Sequence, residues 1–220
     1  MTENSEMIER AVARLNARLP LRARQENLPA PLKTAHRQIL HSLAGNGRPP
    51  TEAELTAVLG AGNLKVGLQR LGSDDLVVLD ARGQMPLGAY PITTEQTPHR
   101  ISINGHHIYA MCALDAVAVA PMFSTEVKIE SSCHLTQAPI VIHMRNSEVL
   151  EVLPGPDVTI GVRWQTPSAV AAHSMCLQMV FLRDRDTAGI WQQGDRDAVS
   201  LFSLPEAVAF GKAFFLPLLD

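Results

Sequence analysis

The sequence lacks a long apolar run and a leader-like start. No stretch approaches the roughly 20 consecutive apolar residues that a membrane-spanning helix needs. The opening MTENSEMIER is polar and has neither the basic nor the apolar region of a secretory signal. The chain has 220 residues, of which 46% are hydrophobic, enough to bury a core in one large or two small domains. We therefore expect a soluble globular protein of the cytoplasm without a membrane partner.

Cysteine is scarce as well. The chain has 3 cysteines at wide spacings, and this odd number does not fit a disulfide framework. A reducing compartment keeps them as thiols that are available for chemistry. Structural zinc usually takes ligands two to four residues apart, and no CxxC pair occurs. His173 with Cys176, or Cys133 with His134, would be weak substitutes. A structural zinc site is therefore an alternative, but its ligands would lack the usual spacing.

An excess of positive charge is also missing. The formal net charge is −3, whereas domains that bind nucleic acid normally carry a clustered basic excess. We therefore expect no nucleic-acid partner.

The N-terminal part of the chain is rich in helix signals. Residues 1–31 combine an amphipathic helix, Glu3 to Leu19, with a proline-rich linker or extended arm from Pro20 to Pro31 that carries Arg22 and Arg24. Residues 32–88 contain a helix that stops at Gly45 and Gly47, and a second helix with capping-box spacing at Thr51 and Glu54.

A third short helix, Leu64 to Leu71, precedes a strand from Leu76 to Asp80 and an Arg82-Gly83 turn into a returning strand. This order of elements predicts a winged helix-turn-helix. Its third helix has only Lys65 and Arg70 as basic residues, a thin face for phosphate contacts. We favour a packing module over a DNA-binding one, since a fold does not define a function.

Residues 89–220 are expected to form the catalytic domain of an α+β protein. The pattern predicts a short strand in HRISING and an apolar helix from Tyr109 to Val119 that ends before Pro121, with His106-His107 as a turn or a ligand pair. The last element, Leu204 to Leu216, is predicted as a helix. Alternating or branched residues predict four strands, in VKIESSC, PIVIHM, VTIGVRW and MCLQMVFL.

Cys112 and Asp115 lie three residues apart in this apolar helix and would share a face. Asp115 is the only side chain expected to be charged between His107 and Ser124, and desolvation would raise its pKa, so it is a candidate acid. A surface aspartate beside a structural cysteine is the alternative.

Cys133 and Cys176 lie at or near predicted strand ends, where side chains can face a shared cleft. A cysteine protease would need a base such as His173 or His143 beside a thiol, and nothing local requires one.

Four motifs together resemble the organomercurial lyase (alkylmercury lyase) family over roughly Tyr90 to Leu219, with a similar helical unit before it. They are IYAMCALDAVAVAP, SSCHLTQAPI, HSMCLQMVFL and SLPEAVAFGKAFF. The resemblance implies that Cys112, Cys176 and Asp115 form the active site and hold the Hg(II) product, and that Cys133 has a structural role. Met111 stands where a bulky aromatic is common in the family, Leu177 where some members have a further cysteine, and the N-terminal arm is longer.

The resemblance implies cleavage of a carbon–mercury bond by protonolysis, which gives a hydrocarbon and Hg(II). Mercury is soft and prefers thiolate sulfur, so two cysteines can hold it while an acid protonates the carbon. No cofactor is expected; free thiols such as glutathione would assist release, and a mercuric reductase would accept Hg(II). A thiol-based metal sensor or metallochaperone with a winged-helix unit is the alternative function.

Overall fold

The computed structural model describes residues 3–195 and 197–220. Its α-helices are α1 (Glu3–Asn16), α2 (Leu21–Glu26), α3 (Ala30–Asn46), α4 (Glu52–Leu59), α5 (Leu64–Ser73), α6 (Ala113–Phe123), α7 (Arg185–Gln192) and α8 (Leu204–Phe215). Its strands are β1 (Val77–Leu79), β2 (Pro86–Ala89), β3 (Ile92–Thr93), β4 (Arg100–Ile103), β5 (His106–Ala110), β6 (Glu126–Ser132), β7 (Pro139–Arg145), β8 (Glu148–Leu153), β9 (Thr159–Arg163), β10 (Met179–Leu182) and β11 (Val199–Ser203). The chain therefore has the predicted mixture of helices and sheets.

The segment expected to be an extended arm contains a helix instead. Pro20 immediately precedes α2, and Pro29 immediately precedes α3. A proline is tolerated at the start of a helix, where its missing N–H has no helical partner to lose. Leu21 and Gln25 of α2 are buried, and the Gln25 amide donates to the Leu218 carbonyl at 2.7 Å. Pro20 and Pro29 thus mark the starts of two helices, and the segment from Pro20 to Pro31 is not an extended arm.

The helices α3, α4 and α5 are followed by an antiparallel hairpin of β1 and β2. The predicted capping box is confirmed, because the Thr51 side chain accepts from the Glu54 N–H while the Glu54 carboxylate accepts from the Thr51 N–H. Gly47 ends α3 in the left-handed conformation, with φ 66°, which glycine adopts without steric cost.

Eight strands form one antiparallel sheet in the order β1-β2-β3-β5-β4-β6-β7-β8. This sheet continues across residue 88, where the sequence predicts the start of the catalytic domain. A second sheet has the order β10-β9-β11. Strands were predicted in VKIESSC, PIVIHM and VTIGVRW, and β6, β7 and β9 occupy these segments. In the fourth segment only Met179–Leu182 is a strand, and Met175–Gln178 forms a 3₁₀ turn.

Helix α6 is buried along almost its whole length, from Ala113 to Met122. It begins later than predicted, because Tyr109 pairs with Thr93 and Arg100 as part of β5. His106 and His107 also belong to β5, so they do not form the predicted turn, and as neighbours in a strand their side chains point to opposite faces of the sheet.

The end of α6 also differs from the prediction, since the helix includes Pro121 and ends at Phe123. Loss of one N–H near the last turn is tolerated where tertiary packing holds the helix.

Helix α8 packs directly against α6. Gly211 permits this close approach, since a Cβ atom at this position would lie 2.8 Å from the Ala118 Cβ. The predicted helix from Leu204 is confirmed and is capped by Ser203 and Glu206. Among the described residues, no helix combines the length and the apolarity needed to span a bilayer.

Candidate active site

Cys112 occupies the N-cap position of α6. Its backbone is extended, with φ −153° and ψ 179°, and its Sγ accepts a hydrogen bond from the Asp115 N–H at 3.4 Å. An N-cap side chain satisfies one of the free N–H groups at the start of a helix. The predicted proximity of Cys112 and Asp115 is thus present, but it comes from a cap and not from two positions inside a helix.

Asp115 lies in the first turn of α6 and is only 2% exposed. Burial raises the pKa of its carboxyl from 3.8 to about 8, although hydrogen bonds with Cys112 oppose this shift. The cause is desolvation, which penalises the charged form of a carboxyl group. The raised pKa favours the protonated form of Asp115 at neutral pH, and its burial removes the alternative of a surface aspartate.

Cys176 reaches the same place from a distant part of the chain. It lies in the 3₁₀ turn Met175–Gln178, just before β10, and its Sγ is 3.9 Å from Asp115 Oδ2. One ligand atom from each of Cys112, Asp115 and Cys176 lies within 4.8 Å of the others. Within residues 3–195 and 197–220, this is the one group of three or more such side chains that is close enough to share a metal ion.

Both cysteines of this trio favour the thiol form in the free protein. Burial raises the pKa of Cys112 well above 9, and the charges of Asp115 and Cys176 add to the effect. A hydrogen bond with Cys112 lowers the pKa of Cys176, but burial and the carboxylates of Asp115 and Asp75 outweigh it and raise the pKa overall. A soft cation that entered the site would reverse this preference, because a coordinated thiol is deprotonated.

A cavity of about 690 Å³ opens next to the trio. Cys176 forms part of its wall, together with Met111 and Met179, whereas Cys112 and Asp115 are not among its lining residues. A compound that enters the cavity therefore meets Cys176 before it meets Cys112 or Asp115.

The 3₁₀ turn Ala171–His173, which directly precedes the turn that carries Cys176, is attached to Asp75 and Tyr90 by hydrogen bonds. The Ala171 N–H donates to Asp75 Oδ2 at 3.1 Å, and the Ala172 N–H donates to the Tyr90 hydroxyl at 2.9 Å. The Tyr90 hydroxyl in turn donates to Asp75 Oδ1 at 2.9 Å. Arg24, from the segment predicted as an arm, lies 3.8 Å from the same carboxylate. We call Asp75 and Tyr90 the turn brace.

Cys133 lies outside the trio. It follows β6 as predicted and is fully buried. Its neighbours Ser132 and His134 line the cavity, but Cys133 itself does not. Burial acts against ionisation of its thiol, but hydrogen bonds, chiefly from the side chain and N–H of Thr136, lower its pKa overall.

The histidines considered as bases make other contacts. His173 is exposed and pairs with Glu95 at 3.2 Å, and His143 lies in β7 beside a different cavity. In the described part of the chain, neither forms a hydrogen bond with a cysteine.

Sequence reasoning missed Asp75, Tyr90 and Met179. Asp75 and Tyr90 belong to no local motif with a recognisable spacing, and nothing in the motif HSMCLQMVFL singles out Met179. The contacts of all three residues join segments that are far apart in the chain. The one sequence pattern near these residues was the predicted hairpin, which begins directly after Asp75.

Comparison with known proteins gives a consistent result. The sequence model of the MerB family, described as alkylmercury lyase, matches residues 92–216. An alkylmercury lyase of Bacillus cereus is 29% identical over 163 residues, which cover 73% of this chain and 71% of that protein. One of Staphylococcus epidermidis is 30% identical over 159 residues, 70% of this chain and 69% of that protein.

The fold has a solved counterpart. The crystal structure of the mercury-bound form of MerB2 aligns with a TM-score of 0.77 and 22% identity, covering 91% of this chain and 98% of that one. The family match extends over more than half of the chain and contains Cys112, Asp115 and Cys176. On this evidence the chain belongs to the alkylmercury lyase family.

Proposed function

We propose that the protein cleaves the carbon–mercury bond of alkyl and aryl mercury compounds by protonolysis, with Cys112 and Cys176 as mercury ligands and Asp115 as the proton donor. The observation that carries this proposal is the placement of two thiols and one protonated carboxyl within 4.8 Å of one another in a buried site. Soft sulfur ligands suit mercury, and a carboxyl of raised pKa suits proton transfer near neutral pH.

Capture begins at Cys176, because this thiol forms part of the cavity wall. The Cys176 sulfur bonds to mercury and displaces the small thiol that accompanied the substrate, which leaves with the Cys176 proton. Mercury then lies next to Cys112, and its positive charge favours the Cys112 thiolate. The Cys112 thiol can lose its proton only as Asp115 gives up its own, so the second sulfur bonds to mercury in the same step in which the carbon is protonated. Donation from both sulfurs makes the carbon more carbanion-like in that step.

Asp115 supplies the proton that the carbon needs. Its carboxyl protonates the carbon, the carbon–mercury bond breaks, and the hydrocarbon leaves. The Cys112 proton restores the Asp115 carboxyl as the Cys112 thiolate forms. The two cysteine protons thus end on the displaced small thiol and on the hydrocarbon, and Hg(II) remains bound by two thiolates.

No cofactor is required for this sequence of steps. Product release needs thiols that exchange with the protein sulfurs, and small thiols such as glutathione or the cysteines of a mercuric reductase fit this role. An incoming thiol would approach through the cavity, where Cys176 is the accessible ligand.

We also propose that residues 32–88 form a winged helix-turn-helix that acts as a packing module. Support comes from the order α3, α4, α5 and a β1–β2 hairpin, and from the continuation of β2 into the large sheet through β3. Arg70, one of two basic residues on α5, pairs with Asp74 at 2.6 Å, which offsets part of the positive charge of this helix. Through Asp75 of the turn brace, this unit has a role in holding the 3₁₀ turn Ala171–His173, which directly precedes the turn that carries Cys176.

The test of the function is release of benzene from phenylmercury. Purified protein is incubated with phenylmercury and excess thiol, and benzene is measured by gas chromatography, with the Cys112→Ser variant as control. We expect many benzene molecules per protein chain. Retention of one mercury per chain without benzene would support a metal sensor or metallochaperone and contradict the proposal.

A further inference from the structure

Met179 places a third sulfur atom beside the two active-site cysteines. Its Sδ lies 3.7 Å from Cys112 Sγ, and the side chain is only 3% exposed. Met179 lines the cavity next to Cys176. A thioether that is buried in this position contacts the volume in which a captured mercury atom must lie.

We propose that Met179 is a third sulfur donor to the mercury held by Cys112 and Cys176; this inference rests on the proposed function. Metal–thiolate bonds of about 2.3 Å, the value for zinc, join sulfurs separated by up to about 4.6 Å through one metal. The 3.7 Å separation between Met179 Sδ and Cys112 Sγ falls within this range. Thioether sulfur is soft and is a recognised donor to soft metals.

Charge favours a thioether over a third thiolate at this position. Mercury(II) bound by two thiolates is neutral overall, and an uncompensated charge in a buried site is costly. Methionine donates a lone pair, carries no proton and adds no charge. Coordination by Met179 therefore forms one weak bond to mercury and releases no proton.

The backbone holds Met179 firmly in place. It is the first residue of β10 and pairs with Val162 of β9, and β10 also packs against α6. The Cys112 Sγ is held in turn by the Asp115 N–H. The backbone of Met179 and the Cys112 Sγ are thus held before the substrate enters, and burial restricts the movement of the Met179 side chain. A donor that is already in position loses little conformational entropy when it binds.

The consequence is stronger retention of Hg(II) after the hydrocarbon has left. When a competing thiol displaces one cysteine, Met179 still donates to the metal. Residues that support the ligands of a metal site typically contribute about 10–100-fold to the affinity for the metal. For the single neutral donor Met179, we expect a contribution at the lower end of this range, about 10-fold.

The test compares Met179→Leu with Met144→Leu. Leucine has a similar volume to methionine and lacks sulfur, so the fold should be retained. Met144 is a buried residue of β7 that does not line the cavity, which makes it a matched control for the same substitution. Each protein is loaded with Hg(II) and studied by X-ray absorption at the mercury edge and by competition with a small thiol. The methyl resonances of ¹³C-methionine are recorded before and after loading.

We expect three sulfur neighbours of mercury in the unmodified protein and in Met144→Leu, one of them at a longer distance, and two in Met179→Leu. Met179→Leu should lose Hg(II) to the competing thiol about 10-fold more readily. The Met179 methyl resonance of the unmodified protein should shift on loading, a result that requires no variant to fold. Two sulfur neighbours and an unshifted Met179 resonance in the unmodified protein would overturn the assignment, as would an equal effect of Met144→Leu.

Benzene release by the unmodified protein, measured in parallel, separates the two proposals. Release together with a two-sulfur mercury site would refute the assignment of Met179 alone. Absence of both benzene release and mercury binding would refute the proposed function together with it.

Discussion

Replacing Asp115 with asparagine should abolish cleavage and at the same time make the folded protein less sensitive to alkaline pH. Asparagine has nearly the same shape as aspartate but neither ionises nor delivers a proton. Asp115 is 2% exposed, and its pKa is raised from 3.8 to about 8 by burial. Between these two pH values the folded protein binds one more proton at this position than the unfolded chain does. Its free energy of unfolding must therefore fall as the pH rises.

The size of the effect follows from proton linkage. Between pH 3.8 and about pH 8, each rise of one pH unit lowers the free energy of unfolding by about 1.4 kcal/mol. The buried His36 and His99, whose pKa values burial lowers from 6.5 to about 4, change stability in the opposite direction, but only below pH 6.5. Between pH 6.5 and about pH 8, the unmodified protein should thus lose about 2 kcal/mol relative to Asp115→Asn.

The assay measures unfolding by urea at several pH values for both proteins, and benzene release and bound mercury on the same samples. General acids typically contribute about 10²–10⁴-fold, so we expect at least this loss of rate in Asp115→Asn. Phenylmercury should still remain bound after gel filtration, because both thiols are intact. Asp186→Asn is the matched control, since Asp186 is exposed in the first turn of α7.

Three results would refute this reasoning. Parallel curves of unfolding free energy against pH for the unmodified protein and Asp115→Asn would mean that Asp115 does not hold a proton up to pH 8. Benzene release within a few-fold of the unmodified rate would remove Asp115 from the proton transfer. Joint loss of folding and mercury binding would assign it a structural role only.

Three further predictions concern the cysteines, the turn brace and the metal content. Cys112→Ser and Cys176→Ser should each abolish benzene release, because a hydroxyl is a poor ligand for soft mercury, whereas Cys133→Ser should mainly lower the midpoint of thermal unfolding; a folded but inactive Cys133→Ser would contradict this division. Tyr90→Phe leaves the Ala172 N–H without its acceptor, so it should lower the free energy of unfolding in urea by about 1–3 kcal/mol and lower kcat/KM for phenylmercury. Unchanged values of both would show that the turn brace does not position Cys176. The isolated protein should contain no stoichiometric zinc, since its cysteines lack the usual zinc-ligand spacing and the proposed reaction needs two free thiols. Elemental analysis that finds about one zinc per chain, lost in Cys112→Ser, would contradict this expectation.

Short-range patterns in the sequence predicted several local elements of the fold correctly. The capping box at Thr51 and Glu54, the hairpin turn at Gly83 and the final helix from Leu204 all depend on residues within a few positions of one another. The proximity of Cys112 and Asp115 is also local, and it was predicted correctly even though the helix was placed too early. Local spacing is sufficient in these cases because capping and turn formation involve neighbouring backbone groups.

Only the tertiary structure decided which side chains meet. Cys176 lies 61 residues beyond Asp115, and it reaches the carboxyl because β10 and the 3₁₀ turn before it pack beside the start of α6. The same packing brings Met179 to Cys112 and leaves Cys133 outside the trio. It also buries Asp115, which sets the pKa near 8. Such contacts depend on strand register and on the packing of distant elements, and no spacing along the chain contains that information.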